Sequence, residues 1–485
     1  MAKTNLLQGV KLMKLCVMAC VVLALQGLFA TAAHAVGVGG SGMYQWSVEL
    51  RRYISPETGK APVAYLWVPE GCDKVKAVIL SQQNMTEEAI YKNPLFQTKM
   101  KKLGVGMIWV APAFDNNWDP QSAAQSLFEE MMTNLADNSG HPEIATVPVV
   151  PLGHSAQATF PWNFAAWNPD RTLCIISFHG DAPRTNLCGY GGANVEWGRN
   201  RNIDGIPGLM VEGEYEWWEA RVNPALAFRI MYPESCISFL CDTGRGHFDA
   251  DERTCDYLAK FIEKSMQQRL NADGTLRRLN PRDGWLAERF HADMPGTDGA
   301  DKGKKPADTA SGLRPAPAPY AEYTGDKHDA FWYFDKEMAN LTETRYKETA
   351  GKRLQYVGFE HQGRLLSYSD KLQGGMQLTF EADKEDGLTL RLKPVYTDAT
   401  HQAPTDVHGK GRLHIEVICG PIKKISDTTF RIVPYEAGWD NPRRSFTCWV
   451  VAVADADGKY KGAVQPLRID LPRDICERVA SSNKK

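Results

Sequence analysis

The sequence predicts an α/β fold with a mostly parallel, doubly wound sheet, followed by a C-terminal all-β domain of sandwich-like form. Three observations carry this expectation. Between about Tyr44 and Leu270, short apolar runs alternate with stretches of helical periodicity, as in strands joined by covering helices. One apolar run, Val147 to Leu152, ends in the tight small-residue turn Gly153-His154-Ser155-Ala156-Gln157. From about Gly351 to Pro472 the pattern changes to in-and-out alternation, with turn signals at Asp386-Gly387 and Asp457-Gly458.

Taken in order, the chain opens with Lys3, Lys11 and Lys14 before an apolar run from Leu15 to Leu28, then Ala33-His34-Ala35. These features mark residues 1–35 as a secretory signal peptide, and its apolar run is shorter than the roughly twenty residues of a membrane span. Residues 36–270 are expected to form the α/β domain, with strands at Pro62 to Val68, Val75 to Gln82 and Val105 to Ala111. Helices are expected at Glu87 to Lys102 and Pro120 to Asn138, the latter with Leu127, Met131 and Leu135 at helical spacing. Further strands fall at Arg171 to Phe178, Ile206 to Gly213 and Cys236 to Leu240, with a polar insertion from His179 to Gly205. A helix covers Cys255 to Ile262. Residues 271–350 read as a linker that packs partly through Trp285, Leu286 and Phe290, with a short helix opened by Ala330-Phe331-Trp332-Tyr333-Phe334. Residues 351–485 make the β-domain, in strands such as Leu388 to Leu392, His414 to Ile418 and Cys448 to Val453.

Composition excludes several classes. A net charge of −2 over 485 residues gives no basic excess for nucleic acid. No C-x-x-C or His-rich spacing points to a metal, and no motif calls for a cofactor. Export, to the periplasm or the medium, would permit disulfides among the nine cysteines left after cleavage, but their pairing is not written in the spacing.

An apolar strand turning sharply into a helix start is the nucleophile elbow of an α/β-hydrolase, which lifts a serine Oγ over the carboxyl edge of the sheet. The fifth position is Gln157, where the usual pattern has Gly. Downstream, Gly213-Glu214-Tyr215-Glu216 closes one apolar strand, and Gly246-His247-Phe248 follows another. Serine, then acid, then histidine is the order this fold imposes. Ser155 is the expected nucleophile and His247 its base. Glu216 is the expected acid, with Glu214 second; Glu212 lies in the strand and points elsewhere if Glu214 does not. The Ala156 N–H should supply one oxyanion donor, and the loop Ser81-Gln82-Gln83-Asn84-Met85 the other, through Gln83 or Asn84. The insertion should border the site, so Arg184, Arg199, Arg201 and Trp197, with Trp217 and Trp218 beyond the acid, are candidate contacts to sugar faces and uronate carboxylates.

The elbow, the Gly-x-x-Glu acid and the Gly-His-Phe histidine together resemble the dienelactone-hydrolase and carbohydrate-esterase branch of the α/β-hydrolases. With Phe331-Trp332-Tyr333-Phe334-Asp335 and the β-domain, the chain resembles exported esterases of Gram-negative polysaccharide degraders, including pectin methylesterases. The resemblance implies a serine carboxylesterase with a polysaccharide or oligosaccharide partner. Its competitors are an acetyl esterase on polysaccharide, an exported peptidase or lipase-like hydrolase, and a noncatalytic carbohydrate-binding protein. A polar insertion argues against a lipase lid, and no propeller or helical cap of a peptidase is visible. An intact Ser, His and carboxylate argue against loss of catalysis.

Overall fold

The structure, a computed structural model, describes residues 43–56, 58–119, 121–183, 197, 202–216, 219–291, 314–382, 386–434 and 446–482. The expected signal peptide lies outside them. A first sheet joins β1 (Trp46–Glu49), β2 (Val63–Trp67), β3 (Ala77–Gln82), β4 (Val105–Ala111), β5 (Val149–His154), β6 (Ile175–Phe178), β7 (Pro207–Gly213) and β8 (Cys236–Asp242). Its order is β1-β2-β4-β3-β5-β6-β7-β8; β3 to β8 run parallel, and β2 is antiparallel to both its neighbours. That is the strand order of the α/β-hydrolase fold.

Both faces of this sheet are buried, and the alternation shows how. In β3, Ala77 and Ile79 join one apolar cluster while Val78 and Leu80 join the other; in β4, Met107 and Trp109 oppose Ile108 and Val110. Helix α1 (Thr86–Lys92) is followed by α2 (Pro94–Leu103), where the sequence suggests one continuous helix. The break is local chemistry: the Asn93 side chain caps Phe96 N–H, and Pro94 occupies the first turn, where its missing N–H costs nothing. Helix α3 (Ala124–Ser139) buries Leu127, Met131 and Leu135. Helices α4 (Phe160–Trp167), α5 (Glu219–Met231) and α6 (Glu252–Arg269) complete the layers.

The segment read as a linker is built into the sheet layers. Strands β9 (Trp285–Glu288), β10 (Ala318–Pro319) and β11 (Ala330–Tyr333) form a small antiparallel sheet in the order β10-β9-β11. The aromatic run at 330–333 is therefore a strand, not a helix start. It is buried along its whole length, with Phe331 stacked on Phe239 and the Tyr333 hydroxyl donating to the Phe239 carbonyl at 2.6 Å. Asp335 then caps helix α7 (Lys336–Lys347), accepting from Met338 N–H at 3.0 Å.

The C-terminal domain gathers three small sheets around one core containing Phe359, Leu390, Phe430, Val450 and Leu467. They are β12 (Tyr356–His361) with β13 (Arg364–Leu365) and β16 (Lys393–Thr397); β14 (Gln377–Thr379) with β17 (Leu413–Cys419), β20 (Phe446–Ala454) and β21 (Ala463–Leu471); and β15 (Thr389–Arg391) with β18 (Ile422–Lys424) and β19 (Thr429–Ile432). A helix, α8 (Arg473–Ser482), follows.

Candidate active site

The elbow forms where β5 ends. Ser155 is held at φ +53°, a left-handed conformation that costs a non-glycine residue about 1–2 kcal/mol and is kept where a site needs the side chain aimed outward. A Cβ on Gly153 would meet the Gln157 carbonyl oxygen at 1.9 Å, so only glycine allows the chain to fold back this tightly. Gln157 is buried, and its side-chain amide donates to Asn116 Oδ1 at 2.6 Å. The departure from Gly at this position therefore ties the elbow to the loop after β4.

Ser155 Oγ lies 2.8 Å from His247 Nε2. On the other side of the ring, Nδ1 is in a short hydrogen bond with Glu216 Oε2. The second oxygen of Glu216 accepts from Gly213 N–H at 2.9 Å. Burial alone would raise the Glu216 carboxyl. The imidazoles of His247 and His179 and the Arg221 guanidinium outweigh it and hold the group well below the usual carboxylate range. Glu216 thus faces the imidazole as a carboxylate at neutral pH.

Glu214 turns away. Its oxygens take Lys461 Nζ at 2.6 Å and Gly244 N–H at 2.8 Å, and both charged side chains are buried. Lys461 comes from the turn between β20 and β21. The β-domain reaches this end of the sheet at further points: the Tyr215 hydroxyl donates to the Gly462 carbonyl, Trp449 stacks on Phe248 at 4.9 Å, and Arg245 faces Glu416 at 3.7 Å. Among the described residues the domain supplies no side chain to the Ser-His-Glu relay, yet it braces the loops carrying the acid and the histidine. Those loops also touch each other, since a Cβ on Gly213 would stand 2.6 Å from the Gly246 carbonyl oxygen. Glu212, in β7, is paired with Arg221 at 2.9 Å; burial raises its carboxyl well above the ordinary value, with the guanidinium opposing.

Two further histidines, which the motif reading did not single out, hold the main chain of His247. His154 Nε2 and His179 Nδ1 lie 2.8 and 2.9 Å from the His247 carbonyl oxygen. A carbonyl only accepts, so both nitrogens carry protons and both rings donate. Burial keeps them neutral: it depresses His179 to about 4 against the pull of Glu216, and depresses His154 well below the ordinary value, with His247 and His179 adding to the effect. The signal for His179 was its position, directly after the carboxyl end of β6, as Ser155 follows β5. Ring nitrogens of His154, His179 and His247 lie within 4.8 Å of one another, a spacing that suits a metal ion. Both His247 nitrogens already face Ser155 and Glu216, and the other two rings already bind its carbonyl. The arrangement reads as a hydrogen-bonded clamp.

Of the expected oxyanion donors, Ala156 is exposed within the first turn of the elbow helix, where N–H groups lack intrahelical partners. Gln83 is not available, because its N–H donates to the Val110 carbonyl at 2.8 Å and extends the β3 pairing. Asn84 remains, through its backbone, since its side chain is spent on the His154 carbonyl at 2.7 Å. Trp197 is also corrected. It is 4% exposed, its indole N–H donates to Asn163 Oδ1 at 2.7 Å, and its ring packs edge-on against Phe228, so it belongs to the core. Arg184, Arg199, Arg201, Trp217 and Trp218 lie outside the described residues.

No protein-family model and no curated protein sequence matches the chain. Among solved structures, it is similar to a substrate-bound fluorophosphonate-binding serine hydrolase of Staphylococcus aureus, at 13% identity and a TM-score of 0.32, covering 47% of this chain and 99% of that one. A poly(3-hydroxybutyrate) depolymerase of Bordetella parapertussis gives 11% and 0.33, covering 50% and 94%. An S-formylglutathione hydrolase of Agrobacterium tumefaciens gives 14% and 0.29, covering 47% and 95%. No helix among the described residues is long and apolar enough to cross a membrane.

Proposed function

We propose that the chain is an exported serine carboxylesterase acting on esterified plant polysaccharide, with the methyl ester of a pectic galacturonate as its substrate. The observation that carries the esterase reading is the continuous relay from Ser155 Oγ through His247 to Glu216, on a serine held in a left-handed conformation. The substrate reading rests on the sequence resemblance and on the secretory character of residues 1–35.

In this mechanism His247 Nε2 takes the Ser155 proton as Oγ attacks the ester carbonyl. The carbonyl oxygen becomes an oxyanion, received by the N–H groups of Ala156 and Asn84, and Glu216 stabilises the imidazolium. When the tetrahedral intermediate collapses, His247 returns the proton to the leaving alcohol, methanol for a methyl ester, and Ser155 carries the acyl group. Water, deprotonated by the same imidazole, attacks that acyl-enzyme. The second intermediate releases the free carboxylate, and the proton goes back to Ser155. Neutral His154 and His179 keep the imidazole from drifting by holding its backbone.

Incubating the purified protein with methyl-esterified and with acetylated pectin, and measuring methanol and acetate separately, tests the substrate. Methanol release from the first is expected. Acetate from the second without methanol from the first would move the assignment to an acetyl ester. Release of neither, by a protein that cleaves a small aryl ester, would remove the pectic substrate altogether.

A further inference from the structure

The two oxyanion donors of the proposed esterase lie on separate segments: Ala156 on the elbow after β5, Asn84 on the turn after β3. Their usefulness depends on a fixed separation, because a donor displaced by a few tenths of an ångström loses much of its hold on a developing charge. One buried acidic side chain spans the two segments. Glu87, in the first turn of α1, is fully buried; its Oε1 accepts from the backbone N–H of His154 at 2.7 Å, and its Oε2 accepts from Met85 N–H at 2.9 Å. His154 directly precedes Ser155, and Met85 directly follows Asn84. One carboxyl group thus grips the backbone of the residue beside each element of the oxyanion site. The Asn84 side chain, donating to the His154 carbonyl, is a second tie between the same strands of chain.

We propose that Glu87 is a positioning residue that sets the spacing of the oxyanion hole. This rests on the esterase reading. Packing alone does not account for the residue. Glu87 is fully buried and no cation is paired with it among the described residues, so its carboxyl group, charged or neutral, is costly there where an apolar side chain would be cheap. Burial pushes its carboxyl up to about 8 even though three backbone N–H groups, its own and those of His154 and Met85, oppose the rise. What an apolar residue could not do is bind two N–H groups from two chain segments at once. Glutamine could not do so either, because its amide nitrogen only donates, whereas both oxygens of a carboxyl group can accept whether or not it is protonated. Helix α1 in turn packs against β17 of the C-terminal domain, so the carboxyl group sits on an anchored support. The sequence hid this role, since a Glu in the first turn of a helix is ordinary complementarity to the helix dipole.

E87Q in the full-length protein tests the proposal with three readings: steady-state hydrolysis of 4-nitrophenyl acetate per titrated active site, inhibition by an aryl trifluoromethyl ketone, and amide hydrogen exchange at Met85 and His154. The ketone adds Ser155 and presents a tetrahedral oxyanion to the same donors. The expected result is a fall in kcat of ~10–100-fold with KM within about twofold, ketone affinity lost by a similar factor, and faster exchange at one or both amides. A merely structural Glu87 would lower melting temperature and the number of titratable sites, leaving kcat per site and ketone affinity within about twofold of wild type; that outcome overturns the proposal. Should E87Q fail to fold, E87D, which is too short to reach both N–H groups, is read in the same way. Absence of ester hydrolysis by the wild-type protein would instead remove the esterase reading. The exchange rates would then still decide whether Glu87 joins the two segments.

Discussion

Ser155→Ala is expected to lower ester hydrolysis by at least ~1,000-fold while leaving the fold in place. The change deletes one partly exposed hydroxyl whose contact is His247 Nε2. Loss of a triad nucleophile removes the covalent route, and what remains comes from substrate binding and the oxyanion donors. The stability change should stay within about 0.5 kcal/mol, because no buried group loses a partner. Matched circular dichroism and melting curves beside initial rates give the check. A variant within tenfold of wild type, about 1.4 kcal/mol of transition-state stabilisation, would remove Ser155 from the chemistry.

Glu216→Gln should be nearly as damaging, and Glu214→Gln should fail differently. The glutamine amide keeps the size of Glu216 but loses the charge that stabilises the imidazolium, and it favours the wrong tautomer at His247 Nδ1; a fall of ~1,000–10,000-fold in kcat is expected. Because the folded protein holds the Glu216 carboxyl below the usual range, the group is ionised throughout neutral pH, protonating only when pH falls to that depressed value. Protonation of Glu216 in the wild type should therefore contribute nothing to the difference from E216Q between pH 6 and pH 9. The clamp does not fill in for the lost charge, since a histidine ring is neutral or cationic and cannot replace a carboxylate. Glu214→Gln leaves the relay whole but removes the carboxylate facing the buried Lys461 ammonium, a loss of about 3–5 kcal/mol in stability when one partner of a buried pair is removed. Its expected signature is a lowered melting temperature with most of the activity per folded molecule retained. The reverse ranking, with E214Q inactive and E216Q active, would transfer the acid's role to Glu214.

How far the sequence spoke for itself depended on whether the signal was local. Ser155, His247 and Glu216 each end or follow an apolar strand, and period and spacing mark such places without knowledge of the fold. The strand at Ala330–Tyr333 was misread because five apolar residues in a row carry no period that separates strand from helix; its pairing with β9 decided the matter. The break between α1 and α2 was legible at Asn93-Pro94, a cap and a first-turn proline, but a continuous helical period ran across it. Gln83 failed as a donor because its N–H completes a pair with Val110, a partner 27 positions on in a neighbouring strand. Trp197 failed because aromatic residues in a polar insertion look alike whether they face solvent or core. Glu87, His154 and His179 act through main-chain atoms of residues distant in sequence, and such contacts leave no spacing to read. The same holds for Lys461, which reaches Glu214 from across 247 positions.

The most direct measurement of the central claim is the mass of the protein after reaction with a fluorophosphonate, followed by peptide mapping. Such a probe is captured only by a serine made nucleophilic by its surroundings. The expected result is a single adduct on the peptide carrying Ser155, with labelling slowed by orders of magnitude in H247A and strongly in E216Q. No adduct, or an adduct on a serine other than Ser155, would contradict the account.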